Sequence, residues 1–211
     1  SSFHQDYLTG MLLVAGITMF YTFFGGFMGA SYTDMVQGLL MLAALIAVPI
    51  VAITNMGGLD HVTDAVANVR PDALGLFAGT TFIGIASALA WGLGYFGQPH
   101  IIVRFMALRT PEDAKAGRRI GMSWMLLTVV GSISTAFVGV AYFATHPEVS
   151  LTDKESAETV FLDLAQILFH PFIAGMILAA VLAAIMSTLS SQLVVCSSAL
   201  VEDLYGVFVK K

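Results

Sequence analysis

Charge is scarce in this chain. Of 211 residues, nine are Lys or Arg and fourteen are Asp or Glu, so charged residues make up 11% of the total, while 57% are hydrophobic. A soluble domain carries about 25% charged residues, so this composition points away from that class and toward a membrane protein. A basic surplus is also missing: the formal net charge is −5, which does not favour a nucleic-acid partner, and the acidic residues sit in loops rather than in one tail. A single cysteine, Cys196, excludes an internal disulfide framework and a cysteine-only metal site. The histidines (His4, His61, His100, His146 and His170) are scattered, and no two have the i, i+4 spacing of a helical metal pair. The chain opens SSFHQDYLTG, without Met and without basic residues leading into a short apolar run, and it stops at VFVKK directly after an apolar segment. Both ends raise the expectation of a piece of a longer protein.

What is present is long apolar sequence. Five stretches are long enough to cross a bilayer, which needs about 20 mostly apolar residues. They run over 7–28, 35–54, 77–97, 121–145 and 172–200, and the second, MVQGLLMLAALIAVPIVAIT, contains no charge. All are apolar around the whole helix, so no face is set aside for water. The chain therefore reads as an all-α polytopic membrane protein with about five transmembrane helices in one domain, 1–211. Orientation follows from the basic residues. Arg104, Arg109, Lys115, Arg118 and Arg119 lie in 104–120, and Lys210 and Lys211 close the chain, leaving only Arg70 and Lys154 in the loops 55–76 and 146–160. The positive-inside rule makes 104–120 a cytoplasmic loop and the turn at 29–34 cytoplasmic, with the N-terminus and the other two loops outside. Residues 156–169, SAETVFLDLAQILF, read either as a helix on the membrane surface or as an extension of the last span. Pro49, inside the second span, frees the carbonyl of Leu45 and predicts a kink.

Three constellations can carry chemistry. Residues 92–97, GLGYFG, match G-x-G-x-x-G, yet a dinucleotide site needs a strand before the motif and a helix after it, and here the preceding residues belong to a membrane span. Gly92, Gly94 and Gly97, followed by Pro99, instead weaken a helix. They serve either close helix packing or a deliberately broken span of the kind transporters use near a substrate. Trp91 and Tyr95 are i, i+4 and share one face, where they can line a small cavity or join an interfacial aromatic belt. In the last span, Ala184, Ser187 and Thr188 are i, i+3, i+4, so one carbonyl and two hydroxyls can converge. That is an oxygen set suited to a small hard cation, although such hydroxyls commonly bond back to their own helix. In SYTD, 31–34, Thr33 or Asp34 can cap the second span, and Asp34 is also placed for a cation path. Arg104 follows Pro99 at the cytoplasmic end of the third span. No Ser/His/Asp set, metal cluster or paired carboxylate lies within a span, which speaks against an enzyme.

The stretches YTFFGGFMGASYTDMVQ (21–37), WGLGYFGQPHIIVRFMA (91–107) and AQILFHPFIAGMILAAVLAAIMSTLSSQLVVCSSALVEDLY (165–205), in this order, resemble the sodium/solute symporter family, most closely its sodium/proline symporters. The resemblance implies part of a leucine-transporter-type 5+5 inverted-repeat fold: the last two core helices of the first repeat and the first three of the second. It implies sodium-coupled uptake of L-proline across the bacterial cytoplasmic membrane, with Na+ and L-proline as ligands. Ala184, Ser187 and Thr188 would be half of the sodium site, completed by the family's first core helix among the remaining helices of a longer transporter. Trp91, Tyr95 and Pro99 match proline-binding positions, Asp34 an aspartate linked to sodium coupling, and Arg104 an arginine needed for activity. Gly92, Gly94 and Gly97 would serve gating. Ser191 stands where the family pattern leads one to expect cysteine. Two alternatives keep the fold: symport of another small solute, and a transporter-like sensory module of a signalling protein.

Overall fold

The computed structural model describes residues 7–75, 78–95, 97–146 and 159–208, and their regular structure is entirely helical. The helices are α1 (Tyr7–Asn55), α2 (Leu59–Val69), α3 (Phe82–Tyr95), α4 (Pro99–Met106), α5 (Pro111–Thr145), α6 (Val160–Leu168) and α7 (Pro171–Ser198). A short 3-10 turn, Pro71–Leu74, follows α2, and a π-helical stretch, Ala199–Tyr205, continues α7. Among the described residues, three helices are long and apolar enough to cross a membrane: α1, α5 and the run Pro171–Tyr205.

The first two expected spans form one helical run with a break inside it. An unbroken helix of 49 residues would measure about 74 Å, more than twice a hydrocarbon core of about 30 Å. The break falls at Gly26, whose φ of 52° and ψ of −150° are outside the helical region and suit only glycine. The turn expected at 29–34 is helical instead. Ser31 donates its hydroxyl to the Phe27 carbonyl at 2.8 Å, and Thr33 donates to Gly29 and Ala30 at 3.0 and 2.9 Å. The polar residues that resembled a helix cap thus bond back within the helix, so neither Thr33 nor Asp34 starts one. Pro49 keeps helical dihedrals, since Gly26 is the one non-helical position in α1.

The third expected span, 77–97, holds one short helix, α3. α3 has 14 residues, about 21 Å, shorter than the hydrocarbon core. Much of 104–120 is helical as well. Arg104 lies in α4, and α5 begins at Pro111 with Lys115, Arg118 and Arg119 in its first turns. Thr110 starts α5 through a reciprocal cap: its hydroxyl accepts from Asp113 N at 3.1 Å, and the Asp113 carboxylate accepts from Thr110 N at 3.2 Å. α6 is a separate helix, because Phe169 is extended and Pro171 opens α7. Residues 156–158 of the expected surface helix, and Lys154, Lys210 and Lys211, lie outside the described residues.

The chain divides into two compact units, one of residues 1–41, 91–116 and 179–211, the other of 42–90 and 117–178. The second unit holds an apolar core of Ala52, Val62, Val66, Val138 and Ala141. α1 ends there in a Schellman turn. Gly58 N donates to Ile53 O at 2.9 Å and Gly57 N to Thr54 O at 3.2 Å, with both glycines at positive φ. This reversal lays α2 down so that Val62 and Val66, one turn apart, are fully buried. On α5, Gly131, Thr135 and Gly139 recur every four residues and are all buried. A Cβ on Gly131 would meet Leu45 Cγ at 2.8 Å and Leu45 O at 3.0 Å, and one on Gly139 would meet Val160 Cγ1 at 2.5 Å. The Leu45 carbonyl is the one that Pro49 deprives of its helical donor. Glycine lets α5 approach it closely.

Candidate functional site

The first unit contains every candidate site residue read from the sequence. Its α3 stops where the glycines and the proline weaken it. Tyr95 is the last helical residue, Gly97 N reaches Gly94 O at 3.2 Å, and Gln98 N reaches Tyr95 O at 3.3 Å. Gln98 is extended, as a residue before proline prefers, and Pro99 opens α4 at a position where a missing N–H costs nothing. Gly92 and Gly94 remain helical, and Gly97 lies in the turn. The break leaves Trp91 and Tyr95 on the last turn of α3. Their ring centroids are 5.6 Å apart at 31°, and they are 68% and 45% exposed.

On α7 the three oxygens converge. Ser187 Oγ donates to Ala184 O at 2.8 Å, and Thr188 Oγ1 donates to the same carbonyl at 3.2 Å. The hydroxyls are bonded back to their own helix, yet each keeps lone pairs able to ligate a cation. The carbonyl accepts two hydrogen bonds, so one hydroxyl must rotate away before the carbonyl can ligate as well. Tyr21, not singled out in the sequence, donates its phenol to Met186 O at 3.2 Å. It thereby ties the part of α1 before Gly26 to the turn of α7 that carries Ser187.

Asp34 and Arg104, 70 residues apart, form an ion pair through Arg104 Nη2 and Asp34 Oδ2. The Asp34 side chain is 9% exposed and that of Arg104 41%. Arg104 Nη2 also donates to Ser191 Oγ at 2.6 Å. Ser191 Oγ lies 3.2 Å from Asp34 Oδ2 and 2.9 Å from Ser187 O. Asp34 Oδ1 is buried without a hydrogen-bond partner among the described residues, as are Thr22 Oγ1 and Gln37 Oε1. Sequence spacing cannot reveal such a pairing across 70 residues, and Ser191 stood out only as a departure from the cysteine of the family pattern.

Comparison with known proteins identifies the family. The model of the sodium:solute symporter family matches residues 1–211. The high-affinity proline transporter PutP of Bacillus subtilis is 52% identical over 201 residues, covering 95% of this chain and 42% of that protein. The osmoregulated proline transporter OpuE of the same organism is 51% identical over 211 residues, covering 100% of this chain and 42% of the relative. The sodium/proline symporter of Escherichia coli is 46% identical over 211 residues, again covering 100% and 42%. No solved structure matches. The chain spans about two fifths of the length of these curated relatives. With its whole length matched, and three of its described helices long and apolar enough to cross a membrane, the chain belongs to the sodium:solute symporter family.

Proposed function

We propose that this chain is part of a sodium-coupled transporter that carries L-proline inward across the bacterial cytoplasmic membrane. It is a transporter rather than an enzyme. The observation that carries the reading is the identity of about half of all residues to proteins named as proline transporters and sodium/proline symporters. The geometry supports it. Ser187 Oγ and Thr188 Oγ1 both lie within hydrogen-bond distance of Ala184 O, and the three form a hard-oxygen set suited to Na+. Three oxygens are fewer than sodium takes, so the remaining ligands come from a helix outside this chain, the first core helix of a 5+5 inverted-repeat fold. Sodium bound there holds α7 against that helix and favours the substrate-ready state. By linkage, sodium and proline raise each other's affinity equally.

Proline is held at the break of α3. Trp91 and Tyr95 offer two adjacent rings able to pack on its aliphatic ring, and Pro99 fixes where α4 restarts. Gly92, Gly94 and Gly97 leave backbone able to open as the bundle rocks between its two faces. Asp34 and Arg104 take part in coupling on the cytoplasmic side. The deciding experiment is sodium-gradient-driven uptake of labelled proline by the full-length protein in proteoliposomes, with unlabelled solutes as competitors. Sodium-dependent uptake suppressed by proline and not by sugars or carboxylates is expected. Uptake indifferent to sodium, or to excess proline, would overturn the reading.

A further inference from the structure

The hydroxyl of Ser191 is placed at a junction of three elements. It stands on α7, one turn after Ser187. It accepts from Arg104 Nη2 of α4 at 2.6 Å, and its single proton has two acceptors within reach, Ser187 O at 2.9 Å and Asp34 Oδ2 of α1 at 3.2 Å. One proton cannot serve both acceptors fully. Donated to Ser187 O, it closes a helix back-bond beside the cation-ligating oxygens, and Asp34 is held by Arg104 alone. Donated to Asp34, it completes a three-way contact among guanidinium, carboxylate and hydroxyl, and the Ser187 carbonyl loses that bond. Ser191 is 8% exposed and Asp34 is nine-tenths buried, so water does little to screen the exchange. Arg104 lies on the short helix that restarts after the break, so its docking fixes where that helix sits.

We propose that Ser191 is the positioning residue through which the sodium site and the Arg104–Asp34 pair oppose one another. The inference rests on the assignment of sodium to Ala184, Ser187 and Thr188. A cation arriving one helical turn from Ser191 repels the guanidinium docked on that hydroxyl. Sodium binding and the docking of Arg104 on α7 are therefore antagonistic, and by reciprocity anything that loosens Arg104 tightens sodium. This sign separates the idea from a merely structural role, in which removing a buried hydroxyl loosens the neighbouring site and weakens sodium.

The test is a sodium titration of the purified full-length transporter, read by intrinsic fluorescence with Trp91 at the break as a reporter. This measurement does not depend on which solute is carried. Ser191→Ala is expected to lower the sodium concentration at half-response by about fivefold, the lower end of ordinary coupling between sites. Arg104→Gln should lower it further, and the double variant should match Arg104→Gln alone, because Ser191 acts through Arg104. Ser191→Cys keeps the size with a weaker donor and should fall between wild type and Ser191→Ala. It also keeps the test decisive if the alanine variant does not fold. An unchanged or raised half-response in both Ser191 variants, or additive effects in the double, overturns the proposal. Wild-type proline uptake is measured on the same preparation. Its absence beside an intact sodium response overturns the substrate and leaves the coupling standing, whereas absence of any sodium response overturns both.

Discussion

The two compact units bury different things. Of the buried apolar residues described, only Ala30, Ala180 and Ala183 belong to the first unit, whereas Val48, Val62, Val66, Val138, Phe143, Leu164 and Ile177 belong to the second. Buried hydroxyls among the described residues show the reverse: Thr18, Ser190 and Ser191 lie in the first unit and Thr135 alone in the second. The three buried polar atoms without partners among the described residues, on Thr22, Asp34 and Gln37, are all in the first. A buried polar atom left without a partner costs about 1–3 kcal/mol, which a purely structural element would not retain. The second unit is therefore the packed scaffold. The first holds all three of these atoms together with the candidate site residues, in keeping with the transport role proposed for it.

Substitutions that separate the two roles sharpen this contrast, and the largest effect belongs in the first unit. Replacing Ser187 and Thr188 together by alanine in the full-length protein should raise the sodium requirement of uptake about a hundredfold, each missing ligand taken as one decade or about 1.4 kcal/mol. An unaltered sodium activation curve would remove α7 from the sodium site. Trp91→Ala should raise the Km for proline about tenfold, the scale expected when one aromatic ring and the area it covers are removed, while leaving sodium activation alone. If the Km stays normal, the Trp91–Tyr95 pair belongs to packing.

Smaller effects are expected where only the scaffold is touched. Gly131→Ala drives a methyl against Leu45 Cγ and its carbonyl, and should cost about 1 kcal/mol of stability, seen as a lower melting temperature in detergent. Sodium and proline dependence should not change; a shifted sodium requirement would show that the second unit is not a passive scaffold. The least effect is foreseen for Gly94→Ala. Open space surrounds that position, so the methyl should stabilise α3 by under about 1 kcal/mol. It should also slow turnover, because a stiffer helix opens less readily at the break. Faster or unchanged turnover would mean that this glycine is not needed for opening.

Much of this was legible in the sequence, and the exceptions share physical causes. The apolar runs announced membrane helices because composition alone decides that. The break of α3 was legible because three glycines and a proline within eight residues leave few competing structures. The break of α1 was misplaced, since SYTD offers good capping chemistry at 31–34. The structure uses the left-handed freedom of Gly26 instead and turns the Ser31 and Thr33 hydroxyls back onto their helix. α2 was hidden in a loop because its 11 residues bury only Val62 and Val66, too brief a pattern to separate from chance. Ser187 and Thr188 were identifiable by type and spacing, Asp34 by its place at the mouth of the first spans, and Arg104 only through the family resemblance. The meeting of Asp34, Arg104 and the Ser187 carbonyl at Ser191 depends on tertiary geometry, which periodicity does not encode.

The seat of Leu45 over Gly131 has a mechanical consequence. It acts as a detent. One turn along the same face of α5 in either direction brings Leu127 or Thr135 under Leu45 in place of a bare Cα, and only glycine leaves room for that side chain together with its carbonyl. The two helices cannot creep past each other by fractions of a turn, because packed surfaces offer discrete registers rather than a continuum. Leu45 and Gly131 thereby mark one fixed register between α1 and α5 inside the second unit.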